Sequence, residues 1–321
     1  MGKSRYITIF ILIMVIILSL SGCKKKQIEK ELENKPVQSK EPIEEVEDDE
    51  KAKIMEEFSN IVKSDNEPIK VKEFVDKNIN KLSQLEGNIM IDEIEKIMEE
   101  YIEEYTDDIL ELDKKSELMK IAGDEIFYPE DRIKDIKDDK LKEEVSKLYD
   151  SMYKLINLDG KFYPMVDYAK IQSYNNNVTD EWKEYLGIKA MDSNNPPLID
   201  GGLRIGYDEL ANRLIKVETY LNKYVIGERR DEMLLNYENK LRVYLKGVDN
   251  SPIADTKTKK INANVLNSYE DVSHMENYIS SHILYKYIES IKGNKNIIDE
   301  SILKQAENLI EEALEMLSEF K

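Results

Sequence analysis

The chain has 321 residues, with 47 Lys and Arg against 66 Asp and Glu, for a formal net charge of −19. Such acidity argues against a nucleic-acid partner, because a phosphate backbone has to be met by clustered Lys and Arg. It argues equally against electrostatic adhesion of the whole body to anionic lipid. Cysteine occurs once, at Cys23, so disulfides and thiolate metal sites are excluded. A hydrophobic content of 41% beside 35% charge suits amphipathic helices around small cores.

Lys3 and Arg5 precede an uncharged run, YITIFILIMVIILSL, from Tyr6 to Leu20. The run is short for a membrane span and suits the apolar region of a signal peptide. It leads into Leu20-Ser21-Gly22-Cys23. These residues resemble the bacterial lipoprotein signal, whose lipobox reads Leu, a small residue, Gly or Ala, then Cys, and every position matches. The resemblance covers residues 1–23. It implies a diacylglyceryl group on the Cys23 thiol, with acyl chains such as palmitate. It also implies cleavage between Gly22 and Cys23 and attachment to the extracytoplasmic face of the cell membrane. Residues 1–22 then leave the mature protein. An uncleaved membrane helix is the rival reading. Lys24–Lys26 sit awkwardly with either export model, since basic residues prefer the cytoplasmic side. N-myristoylation fits poorly, because Tyr6 stands where Ser or Thr is needed. Abundant Ile, Lys, Glu, Asn and Tyr with one Trp point to an AT-rich genome and a low-GC Gram-positive source.

Residues 23–45 read as a lipidated, charged, flexible spacer; they lack sustained apolar periodicity and carry Pro36 and Pro42. From 46 to 158 the pattern is helical. Ile54, Met55, Phe58, Ile61 and Val62 form one stripe, and a second helix begins near Pro68, well placed for a first turn. A third carries Ile94, Ile97, Met98, Tyr101, Ile102 and Tyr105 and is expected to continue through Ile109 and Leu112. Leu141, Val145, Leu148, Tyr149, Met152, Leu155 and Ile156 predict a further helix.

Residues 159–205 break the rhythm with Gly160, Tyr163-Pro164, Asn175–Asn177, Asn194–Pro197 and Gly201-Gly202. Short helices are expected over 165–174 and 179–190, with Thr179 or Asp180 as the N-cap of the second. Residues 206–321 return to helices. One face carries Tyr207, Leu210, Leu214, Val217 and Leu221; the next carries Leu234, Tyr237, Leu241, Tyr244 and Leu245 and stops at Gly247. Val265 to Val272 leads into a helix bearing Ile279, Ile283, Leu284, Tyr287 and Ile291. The last starts near Asp299. The body is therefore read as all-α, a helical bundle or a short solenoid of stacked hairpins. Residues 207–292 loosely resemble tetratricopeptide-type repeats in helix length and pairing, but their signature positions are not recoverable.

Candidate chemistry is sparse. His274 and His282 are the sole histidines. His282 and Glu289 share a helix face but stand about 10 Å apart along the axis, too far for both to grip one ion. The His-x-x-Glu pattern of imelysin-like proteins is not met. His282 is expected to pack beside Ile279 and Ile283, and His274 to lie near a helix junction. No Gly-x-Ser-x-Gly elbow occurs. The glycines at 201–206 lack P-loop spacing and suit a helix start. Asp192–Asn195 and Asp249–Ser251 fit polar turns better than calcium loops. Glu99-Glu100, Glu103-Glu104 and Asp107-Asp108 read as the solvated side of a helix. The aromatic stretch offers one candidate ligand surface, Tyr163, Tyr168, Tyr174 and Trp182; the competing reading is that these rings plug the core.

No catalytic, cofactor or metal residue is assigned. The expectation is a membrane-tethered, non-enzymatic binding or scaffold module for a partner protein or envelope component. The alternatives are a transporter's substrate-binding lipoprotein, disfavoured by the missing strand pattern, and a cell-wall-active enzyme.

Overall fold

A computed structural model describes residues 43–64 and 66–318, with side chains from residue 48 onward. The expected signal peptide, Cys23 and the spacer up to residue 42 lie outside the described residues. The expected stripes appear as helices α1 (Ile43–Ser64), α2 (Pro68–Asn78), α3 (Gln84–Glu100) and α4 (Ile102–Leu112). Pro68 opens α2, where its missing N–H costs nothing. A capping box starts α3: the Glu86 amide donates to Ser83 Oγ, and the Ser83 amide donates to Glu86 Oε2 at 2.8 Å.

The continuous third helix expected from the sequence is broken at Tyr101. Its physical cause lies in the hairpin below. The hydroxyl of buried Tyr153 donates to the Met98 carbonyl at 2.7 Å, satisfying a C-terminal acceptor of α3. The break turns α4 onto the hairpin, where Tyr105 meets Tyr153 edge-on, 5.2 Å between ring centroids.

Short α5 (Glu117–Ala122) leads through a 3₁₀ turn to α6 (Asp139–Asp150), capped by Asp138. The expected helical stripe ends there, and Leu155 and Ile156 lie instead on a strand. Met152 takes φ +64°, and the chain enters an antiparallel hairpin, β1 (Tyr153–Leu158) and β2 (Lys161–Val166). Its two-residue turn is Asp159-Gly160, both at positive φ (51° and 80°), the primed-turn geometry that matches strand twist. Apolar burial, not alternation with water, holds β1: Tyr153, Leu155 and Ile156 are buried with Lys154 between them.

The irregular stretch then supplies α7 (Tyr168–Ile171), a 3₁₀ turn (Gln172–Asn177) and α8 (Asp180–Asn194), with Thr179 as N-cap. Helices α9 (Tyr207–Lys223), α10 (Arg230–Lys246), α11 (Ala263–Ser273), α12 (Ile279–Gly293) and α13 (Glu300–Ser318) follow. Two minimal hairpins, β3/β4 (Leu198–Ile199 with Gly202–Leu203) and β5/β6 (Gly247–Val248 with Ser251–Pro252), punctuate them. The body is all-α, and these short antiparallel pairs serve as turns. Helix α13 packs on α12 and also back on α10, which closes the C-terminal half into a bundle. The described residues from Val46 onward form one compact unit.

Two long-range caps tie the bundle ends. Glu218 of α9, fully buried, accepts from the Ile279 and Ser280 amides and from Ser280 Oγ at 2.5 Å, so it caps α12 from another helix. Burial pushes its carboxyl above the ordinary range. Arg230 donates to the Leu221 carbonyl (2.5 Å) and the Leu317 carbonyl (2.6 Å), closing the C-terminal ends of α9 and α13.

Candidate functional site

Helix α8 is the centre of the polar organisation. Its sequence has little amphipathic character because it is enclosed on several sides: Trp182, Tyr185, Leu186, Ile188 and Ala190 are all buried. Glu181, Tyr185, Lys189 and Asp192 follow one another at helical spacing and meet polar partners from α3, α9 and α10. The N-terminus of α8 is held by α3, since Asn88 Oδ1 accepts from the Thr179 amide at 3.0 Å. The approach of α3 to the preceding turn needs Gly87, where a Cβ would stand 1.9 Å from the Asn177 carbonyl oxygen.

Glu95 of α3, 3% exposed, is the focus. One of its oxygens accepts from Tyr168 at 2.6 Å and from Tyr185; the other accepts from Arg229 at 2.6 Å. Arg229 also pairs with Asp92 at 2.7 Å, and its guanidinium lies 4.2 Å from the Trp182 ring centroid and 4.9 Å from that of Tyr185. Lys189 bonds Glu232 at 2.6 Å and stands over the Tyr168 ring at 4.7 Å. Trp182 Nε1 donates to Glu228 at 2.7 Å. Burial first, then the Glu95 charge, raises both tyrosine hydroxyls far above the phenol range, so Tyr168 and Tyr185 remain donors. The two cations, Arg229 and Lys189, thus stand among four carboxylates, Asp92, Glu95, Glu228 and Glu232, in a seam buried at Glu95 and half-buried at Asp92 and Glu232. Arg229 Nε is the one atom of this set buried without a partner among the described residues.

At the other end of α8, Asp192 accepts from Arg213 (3.1 Å) and Lys240 (2.5 Å), both cations buried. Arg213 also donates to the Asn195 carbonyl at 2.8 Å, complementing the helix terminus. The Asp192–Asn195 segment expected as a polar turn is therefore largely the last turn of this helix.

An open cleft of about 560 Å³ lies away from this seam, bounded by α2, the end of α6 and the segment from α7 into its 3₁₀ turn. Lys72, Asp76, Asp150, Lys170, Ser173 and Tyr174 line it. Asp76 is fixed from both sides, accepting from Lys72 at 2.7 Å and from Tyr174 at 2.5 Å. Lys170 donates to the Tyr149 carbonyl at 3.0 Å and to Glu130 at 3.1 Å.

The four aromatic residues singled out in the sequence do not line one surface. Tyr168 and Trp182 are buried in the Glu95 seam, Tyr174 is buried at the cleft, and half-buried Tyr163 sits on β2 opposite Ile156. Sequence reasoning missed Glu95, Arg229, Glu232 and Lys189, whose partners lie 73 to 134 residues apart for the Glu95 bonds. His274 ends α11, its Nδ1 2.6 Å from the Glu270 carbonyl. The expected packing of His282 beside Ile279 and Ile283 is corrected: those two are buried, whereas His282 faces solvent with Nε2 3.5 Å from Glu312. Glu289 is exposed. Among the described residues no group of three or more His, Cys, Asp or Glu is placed to hold a metal, and no helix is long and apolar enough to cross a membrane. Comparison with family models, with curated proteins and with solved structures found no match.

Proposed function

We propose that the protein is a lipid-anchored, extracytoplasmic binding module of a Gram-positive cell envelope, held by acylated Cys23 and presenting its helical body to an envelope component. The observation that carries this reading is the complete Leu20-Ser21-Gly22-Cys23 motif directly after an uncharged run. Two acyl chains give stable attachment without help from an acidic body. A binding role, in place of turnover, is supported by the state of the polar groups. In the most heavily linked set, both oxygens of buried Glu95 already accept hydrogen bonds from within the fold. The cleft at α2, α6 and α7 has a volume within the range of ligand sites, roughly 300–1,000 Å³.

The test is capture from crosslinked envelopes carrying the intact lipoprotein, against an unrelated lipoprotein of similar size as control. Enrichment of an envelope component that Lys72→Glu with Lys170→Glu abolishes supports the reading. Enrichment of nothing above the control, or release of soluble fragments from purified wall by the protein, would overturn it.

A further inference from the structure

We propose that the cleft between α2, α6 and α7 binds a short zwitterionic peptide, taking its carboxylate on Lys72 and Lys170 and its ammonium on Asp150. The inference deepens the binding-module reading by naming a ligand class, and rests on that reading for its setting outside the membrane.

The lining of the cleft carries unused hydrogen-bonding capacity. An ammonium has three donors. Lys72 makes one bond, to Asp76, and Lys170 makes two, to the Tyr149 carbonyl and Glu130. Three charged N–H donors thus remain on the lining. Asp150, at the C-terminal end of α6, is exposed and its carboxylate has no partner among the described residues. The Ser173 hydroxyl is likewise exposed on the lining and unbonded there. Capacity of both signs therefore faces one space.

Charge then selects the ligand. A purely anionic molecule would satisfy the lysines but meet Asp76 and Asp150. A purely cationic one would meet both lysines. An apolar one would desolvate four charges without replacing their water. A molecule with an amine at one end and a carboxylate at the other satisfies each group with a charge-assisted bond. The cleft volume of about 560 Å³ gives room for more than a single amino acid, and the Ser173 hydroxyl meets a peptide backbone in kind.

The lining is also held in place. Tyr174, buried, bonds Asp76, so that carboxylate stays on its own lysine and does not collapse across the cleft. Lys170 lies over the Tyr149 ring at 5.1 Å, which fixes its stem. Less ordering is then required when a ligand arrives.

Calorimetric titration of the full-length lipoprotein in detergent with trialanine tests the proposal, with N-acetyl-trialanine and trialanine amide as controls. Saturable binding of trialanine is expected, weakened by about tenfold or more when either terminus is blocked. Asp150→Asn should lose about tenfold for trialanine and nothing for the acetylated peptide; Lys72→Met should lose affinity for trialanine and nothing for the amide. Asp150 is exposed and Lys72 half-buried, and an unchanged circular dichroism spectrum verifies folding of both variants. No saturable binding, equal binding of the blocked peptides, or variants that bind like the parent would overturn the proposal. Envelope capture that persists while no peptide binds overturns the peptide proposal alone. Peptide binding with no envelope capture overturns the tethered-partner reading alone.

Discussion

Replacing Glu95 by Ala removes the acceptor for three surrounding donors, Tyr168, Tyr185 and Arg229, and the ion-pair partner of Lys189 at 3.7 Å. Tyr185 keeps Glu232 at 2.9 Å, and Arg229 keeps Asp92. The Tyr168 hydroxyl, buried, is left with none of its bonds. Removing one member of a buried ion pair costs about 3–5 kcal/mol, and the surviving partners place Glu95→Ala toward the lower half of that range. Glu95→Gln keeps one acceptor but turns an NH₂ toward neighbours that all donate, so a loss of about 1–3 kcal/mol is expected. Urea unfolding followed by circular dichroism reads both, as a shift in midpoint at constant slope. Combining Glu95→Ala with Arg229→Met should be less than additive. A loss below about 1 kcal/mol for Glu95→Ala, or strict additivity with Arg229, would refute the claim that this seam holds α3, α8 and α10 together.

Three further outcomes follow from particular contacts. Gly87→Ala gains helix propensity of about 1 kcal/mol, yet its Cβ meets the Asn177 carbonyl at 1.9 Å. Thermal denaturation should therefore show net destabilisation of about 1–3 kcal/mol. Gly160→Ala places a Cβ at φ +80° and should cost about 1–2 kcal/mol in the same assay. For Glu218 the folded carboxyl is raised by burial. The folded state thus holds its proton more tightly, and stability should fall as pH rises from the unfolded value of 4.5 through the folded one. Glu218→Gln removes that dependence, so the stability difference between wild type and variant should change across this window and flatten below it.

Most helices were legible because the body buries one stripe per helix. Ile54 with Phe58, Val71 with Val75, and Leu309 with Ala313 sit at helical spacing and are buried as the pattern requires. The hairpin was obscured because Met152, Leu155 and Ile156 continue the stripe of α6 at spacings of three and four. The Asp159-Gly160 dipeptide between Leu158 and Lys161 was the local signal that could have revealed it. The break after α3 left no sequence mark, since its cause is the Tyr153 hydroxyl more than fifty residues on. The seam around Glu95 was illegible for a related reason. A helix enclosed on several sides, as α8 is, loses its amphipathic period, and the carboxylates that neutralise its Lys189 come from α3 and α10. The tyrosines and Trp182 were visible as a cluster, but only packing decides whether rings line a surface or fill a core.

The central claim, attachment through Cys23, is most directly tested by metabolic labelling with a palmitate analogue. Wild-type protein should take the label, migrate as the processed form and sediment with membranes. Cys23→Ala should lose the label and accumulate as unprocessed precursor. Persistent labelling of Cys23→Ala, or an unlabelled wild type, would contradict the account.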